Sequence, residues 1–242
     1  MRPSWTDSAY IRASREEPSA PFLLALRRSV RYMTGLPVVE ENVAIKPWDS
    51  RLALWLVRPL RSTRVHPNHL TTVSLIAGLT AAALYATGDG RAASWGGALY
   101  VLSAILDHAD GELARLAGKM SASGGEYDRL CDLVARVALF MGVGLSLRYG
   151  PLGAWAVVCG IVGATSLVVT FSLRSEMARR DVPGSLDQPS AGGFDLNDAL
   201  YLVAPLTWLG WLAPFVVGVG LGTPIFCLVT ARKYQRATTE RV

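Results

Sequence analysis

The sequence predicts an all-α polytopic membrane protein: six transmembrane helices preceded by an amphipathic helix lying in the interface. Three observations carry that prediction. The 242-residue chain is 51% apolar and only 18% charged, with a mean hydropathy of +0.30, whereas soluble domains average about 25% charged residues. Apolar stretches of spanning length recur along it; a crossing takes about 20 residues, because about 30 Å of hydrocarbon is covered at about 1.5 Å per residue. The lysines and arginines fall almost entirely on one side of the resulting arrangement. This composition excludes a disordered chain, a disulfide scaffold and a coiled coil.

Residues 1–46 form a mixed, polar arm whose one amphipathic stretch, 22–33, carries Arg27, Arg28 and Arg31. It reads as a cytoplasmic arm, flexible or lying on the membrane surface, ahead of a transmembrane domain over 47–242. No cleavable signal peptide is expected, since the apolar cluster at 21–26 is too short for one and acidic Asp7, Glu16 and Glu17 precede it. In residues 47–62, Trp48, Leu52, Trp55, Leu56 and Pro59 share a helical face while Arg51, Arg58 and Arg61 lie largely off it. Aromatic anchors opposite arginines describe an interfacial helix. The spans follow at 70–87, 92–115, about 126–147 and 151–173, and a last stretch, 196–231, folds into two around Gly210 and Pro214. Pro205 is expected to kink the fifth. Gly142, Gly144, Gly160, Gly163, Gly218, Gly220 and Gly222 allow close helix approach in lipid.

Only Arg91 and Arg148, two of the 24 basic residues, fall opposite the termini in a six-span arrangement. The positive-inside rule therefore places both termini in the cytoplasm, for a protein of an inner or plasma membrane. The net charge of +5 is an orientation signal and not a nucleic-acid footprint, because no basic stripe with interleaved stacking aromatics accompanies it. Cys131, Cys159 and Cys227 lie far apart in apolar stretches and read as small buried hydrophobes. His66, His69 and His108 lack zinc-ligand spacing.

The second and third spans contain what an inert membrane helix avoids. Asp107 and Asp110 are three apart, Asp128 and Asp132 four apart, so each pair projects from one helix face. The polar, turn-rich link from Gly118 to Gly124 makes the two helices antiparallel neighbours with their acidic faces turned together. Ionisable residues inside spans mark functional sites. Four carboxylates without His or Cys make an all-oxygen site suited to Mg²⁺, Mn²⁺ or Ca²⁺. Gly111, Ala114 and Gly124 leave a hollow on the same faces, and Arg115 can reach into it to bind phosphate. Metal, carboxylates, arginine and a small-residue floor together suit phosphoryl-group chemistry.

Asp107-His-Ala-Asp110-Gly111-Glu-Leu-Ala114-Arg115, then eight residues, Gly124, three residues, Asp128, three residues and Asp132 reads as D-x2-D-G-x2-A-R-x8-G-x3-D-x3-D. It resembles, at every fixed position, the signature of the CDP-alcohol phosphatidyltransferase superfamily. The resemblance covers roughly residues 46–235 and takes in the six-span layout, the interfacial helix and Pro67-Asn68-x-x-Thr71 at the start of the first span. It implies an enzyme that binds a CDP-linked lipid or alcohol at the cytoplasmic face, uses a divalent metal (Mg²⁺ or Mn²⁺) and acts as a homodimer. By that resemblance Asp107, Asp110 and Asp128 are metal ligands, and Asp132 is ligand, general base or both. Gly111, Ala114, Arg115 and Gly124 shape the CDP site, with Asn68 and Thr71 contributing. The implied reaction is transfer of a substituted phosphate group, phosphatidyl from CDP-diacylglycerol, to an alcohol hydroxyl with release of CMP in phospholipid biosynthesis. The alternative is transfer of a phospho-alcohol from a CDP-alcohol to a lipid acceptor.

Arg136 continues the Gly124, Asp128, Asp132 face by another turn, either as an ion-pair partner of Asp132 or as an anion contact for a phosphorylated acceptor. Arg174, Arg179 and Arg180 follow the fourth span, where they could flank the same cavity or serve only as positive-inside charges. These arginines, with Lys46-Pro47-x-Asp49, lean the expected acceptor towards a phosphorylated polyol or inositol phosphate. A membrane prenyltransferase would separate its two acidic motifs widely, whereas 17 residues lie between Asp110 and Asp128. A GxGD-type intramembrane protease element is absent. A cation transporter would explain the carboxylates but not Gly111, Ala114, Arg115 and Gly124 at their spacing.

Overall fold

The computed structural model describes residues 48–60, 63, 65–180, 182, 190–191, 194–195 and 200–239. The arm expected over 1–46 lies outside them, as do the side chains of Trp48 and Arg51 and all of Arg61, part of the interfacial-helix pattern.

The interfacial segment is a helix, α1 (Trp48–Val57), closed by a 3₁₀ turn at Arg58–Leu60. Its inner stripe is Ala53 and Val57, fully buried with Leu70, Ala109 and Leu113. Leu52, Trp55 and Pro59, from the face expected to meet lipid, stay exposed, Trp55 to 71%. Helix α2 (Pro67–Ala86) starts sharply because His66 accepts from the Asn68 N–H and His69 accepts from the His66 N–H, with Pro67 at the first helical position. Asp89 caps α3 (Gly90–Leu116) through Ala92 N–H at 2.7 Å, and Ser121 caps α4 (Ala122–Ser146) through Gly124 N–H at 3.0 Å. Between them Gly118, at φ +62°, makes the left-handed turn that ends α3. Helix α4 thus begins four residues before the expected span, which puts Gly124 in its first turn. Helix α5 covers Ala154–Arg179.

The last stretch does fold into two, but unequally. A 3₁₀ turn at 200–202 leads into α6 (Val203–Trp208), and α7 (Leu212–Thr239) follows. The nine helical residues from 200 to 208 cover about 13 Å at about 1.5 Å each, under half the hydrocarbon thickness. Residues 196–199 lie outside the described residues. Pro205 has no N–H to offer the Tyr201 carbonyl, so the segment opens as a tighter turn. Gly210, at φ +73°, closes it, with Trp211 N–H on the Leu206 carbonyl at 2.7 Å. Helices α2, α5 and α7 are long and apolar enough to cross a membrane. Helices α3 and α4 have 27 and 25 residues, ample for crossing, but their polar residues lower the hydropathy. The strand content among the described residues is one short antiparallel pair, β1 (Ser190–Ala191) with β2 (Phe194–Asp195).

Helix α2 is the hub. It packs on both α3 and α4, whereas α3 and α4 barely touch one another. The two helices do turn their acidic faces together as expected, but they touch little directly across the gap between them and each is held by α2. Small residues on α2 allow this. A Cβ on Gly78 would sit 2.9 Å from Ala135 Cβ and 3.1 Å from Ser103 Oγ, and one on Gly142 of α4 would run into the Ala82 backbone. Ser74 and Ser103 donate to each other's carbonyls at 2.9 and 2.8 Å, satisfying two buried hydroxyls between α2 and α3. Helix α4 then packs on α5, α5 on α7, and α6 touches both α7 and α3, closing a ring of six. Tyr85, Tyr100, Leu139, Val143, Ala156, Val203 and Val216 seal one end of that ring. The carboxylates lie towards the other.

Candidate active site

Because α3 and α4 run antiparallel across the gap, Asp107 and Asp110 meet Asp128 from opposite walls. One carboxylate oxygen from each lies within 4.8 Å of the others. Asp110 is buried, the other two half-buried. Thr71, buried on α2, donates its hydroxyl to Asp110 Oδ2. Among the described residues, Asp128 Oδ1 is buried without a hydrogen-bond partner. Three clustered anionic groups, one with an orphaned buried oxygen, make a donor set that fits a hard divalent cation, since desolvated carboxylates need a compensating charge. Asp132 lies one turn beyond Asp128 and is held by Arg136, Nη2 to Oδ2 2.7 Å. The ion-pair reading of Arg136 is thus realised, and Arg136 also lines the cavity described next.

That cavity, of about 30 Å³, lies between the walls on the sealed side of the carboxylates and is lined by Asp107, His108, Asp132, Arg136, Tyr100 and Tyr201, among others. Tyr201, from the turn before α6, reaches His108 Nδ1 at 3.3 Å, and the same nitrogen lies 2.9 Å from the Ala104 carbonyl. Sequence reasoning missed Tyr201, which is 93 positions from His108 and carries no motif; a histidine between two aspartates and serines within apolar spans were the available signals for the rest.

On the open side stand the remaining predicted residues. Gly111 and Ala114 are half-buried on α3, and Arg115 is exposed with its guanidinium over Gly111. A Cβ on Gly124 would lie 3.3 Å from Asn68 Oδ1, so the first turns of α2 and α4 meet there. Lys119 ties the α3–α4 turn to the approach to α2 by donating to the Val65 carbonyl at 3.1 Å. Arg174 and Arg179 do not line the cavity. Arg179 is exposed at the end of α5, 3.8 Å from Glu176, which Arg180 also binds at 2.8 Å.

A family model described as CDP-alcohol phosphatidyltransferase matches residues 64–219, more than half of the chain and the whole carboxylate motif. The chain belongs to that family. Helix α1 lies ahead of the match. A bifunctional IPC transferase and DIPP synthase from Archaeoglobus fulgidus is 28% identical over 178 residues, 69% of this chain and 34% of that protein. Cholinephosphotransferase 1 from Danio rerio is 31% identical over 120 residues, 45% of this chain and 30% of that protein. Its namesake from Gallus gallus is 31% identical over 130 residues, 49% and 38% of the two chains. The chain spans about a third of the length of these curated relatives. Its three long apolar helices agree with a membrane protein of that family.

Proposed function

We propose that the protein transfers a substituted phosphate, phosphatidyl from CDP-diacylglycerol, to the hydroxyl of a phosphorylated polyol or inositol phosphate and releases CMP. The convergence of Asp107, Asp110 and Asp128 oxygens beside Asp132, with one buried oxygen lacking a partner, carries the reading. Asp107, Asp110 and Asp128 would hold Mg²⁺ or Mn²⁺, joined by Asp132 if it also ligates. The metal supplies charge neutralisation to the phosphates. Gly111, Ala114 and Gly124 form the floor for the CDP moiety, Arg115 binds its phosphate, and Asn68 and Thr71 border the same end. Asp132, steadied through one oxygen by Arg136, takes the proton of the acceptor hydroxyl. The new acceptor O–P bond forms as the bond to CMP breaks, and CMP departs with the electron pair. Arg136, which lines the cavity, would meet an acceptor phosphate; Arg174 and Arg179 would act only at its approach.

Both termini and the site are read as cytoplasmic, in an inner or plasma membrane, from the one-sided distribution of lysine and arginine. A homodimer is supported by Gly218 and Gly222, which are exposed four residues apart on α7 with open space beside them. The names of the cholinephosphotransferase relatives favour one second reading, a CDP-alcohol donor and a lipid acceptor. The deciding experiment gives detergent-purified protein CDP-diacylglycerol with Mg²⁺ or Mn²⁺ and a panel of alcohols. CMP and a phosphatidyl-polyol phosphate, identified by mass spectrometry, are expected. Products only from CDP-choline and diacylglycerol would establish the second reading, and no CMP from either donor would sink both.

A further inference from the structure

Glu112 is a charge that the proposed reaction leaves unused. Its side chain is only 5% exposed, a state carboxylates adopt only when paired. Its Oε1 lies 3.0 Å from Nη2 of Arg115, one turn on. Arg115 itself is 56% exposed. The pair therefore joins a carboxylate immobilised by burial to a guanidinium on a long, flexible stem that reaches the open side of the site. The guanidinium is not merely nearby. It overlies Gly111, where a Cβ would sit 3.5 Å from Nη2, 3.7 Å from Nη1 and 3.9 Å from Cζ. A guanidinium carries five N–H donors, so one bond to Glu112 leaves others to receive an oxyanion.

We propose that Glu112 is a positioning residue: its bond to Arg115 holds the guanidinium over Gly111, oriented to receive a phosphate of the CDP moiety. This rests on the CDP-dependent transfer proposed above. Two facts favour it over a purely structural ion pair. An exposed Arg115 needs no buried partner for its own solvation, and its guanidinium overlies Gly111, where no side chain competes for the space.

The probe is CMP, common to every CDP-linked donor, titrated calorimetrically with Mn²⁺ into the full-length protein in detergent. Glu112→Gln keeps the shape and removes the charge. It is expected to weaken CMP binding about tenfold, the worth of one charge-assisted hydrogen bond. In an Arg115→Ala background the same change should have no further effect. CMP affinity within twofold of wild type in Glu112→Gln, or an equal weakening with and without Arg115, overturns the proposal. If Glu112→Gln does not fold, Glu112→Asp substitutes for it, with the same expected weakening and the same overturning result. Wild-type protein that binds no CMP would instead fail the reading of the reaction, and this inference with it.

Discussion

Each carboxylate in the gap has a different neighbour, and the neighbours separate their tasks. Asp110 takes the Thr71 hydroxyl and Asp132 the Arg136 guanidinium, while Asp128 keeps an oxygen with no hydrogen-bond partner among the described residues. Asp132→Asn removes the proton acceptor while preserving size, so CMP release should fall to background, and chelation by EDTA should do the same to the wild type. Normal turnover in a chelated, metal-free assay would refute the mechanism. Thr71→Val should reduce apparent metal affinity about 10- to 100-fold, the usual effect of removing a group that orients a ligand. Thr71→Ser should restore most of it; Mn²⁺ titration of CMP release measures both. The pairing of Asp132 with Arg136 was legible from their spacing of four. The Thr71 bond was not, because nothing in residues 67–71 says which helix face turns to α3.

At the scale of elements, α3 and α4 are each packed mainly on α2 and touch one another little. Clustered carboxylates repel one another and resist burial without a cation, whereas Gly78, Ala81 and Ala82 on α2 give the neighbouring helices a small-residue surface. Gly142 is the tightest such contact, with the Ala82 backbone directly against it. Gly142→Leu should lower stability by about 1–3 kcal/mol or more through overpacking, seen as a lower melting temperature in detergent. Gly90→Ala, at a site with nothing within 4 Å, should stay within about 0.5 kcal/mol. Helix boundaries were read within a few residues where turn glycines mark them, as at Gly118 and Gly210. The shortness of α6 escaped that reading, since a hydrophobic run reports tolerance of lipid, not the conformation of every residue in it.

Across the described helices, an apolar core fills one end of the ring and the carboxylates gather towards the other. Metal binding should therefore stabilise the assembled fold by linkage, by about 2.7 kcal/mol at a hundredfold excess over the dissociation constant. Thermal melting with and without Mn²⁺ should show the shift in wild type and its loss in Asp128→Asn. The amino-acid sequence alone determined the solvent, the helical class and the motif from Asp107 to Asp132. Hydropathy and i, i+3 or i, i+4 spacing are local properties, and they are written in consecutive residues. Only the tertiary structure decided that α3 and α4 both pack on α2, that Tyr201 crosses to His108, and that Glu112 is buried beside Arg115. Those outcomes depend on which small residues let distant helices approach, and pairings between distant helices leave no periodic trace in the chain.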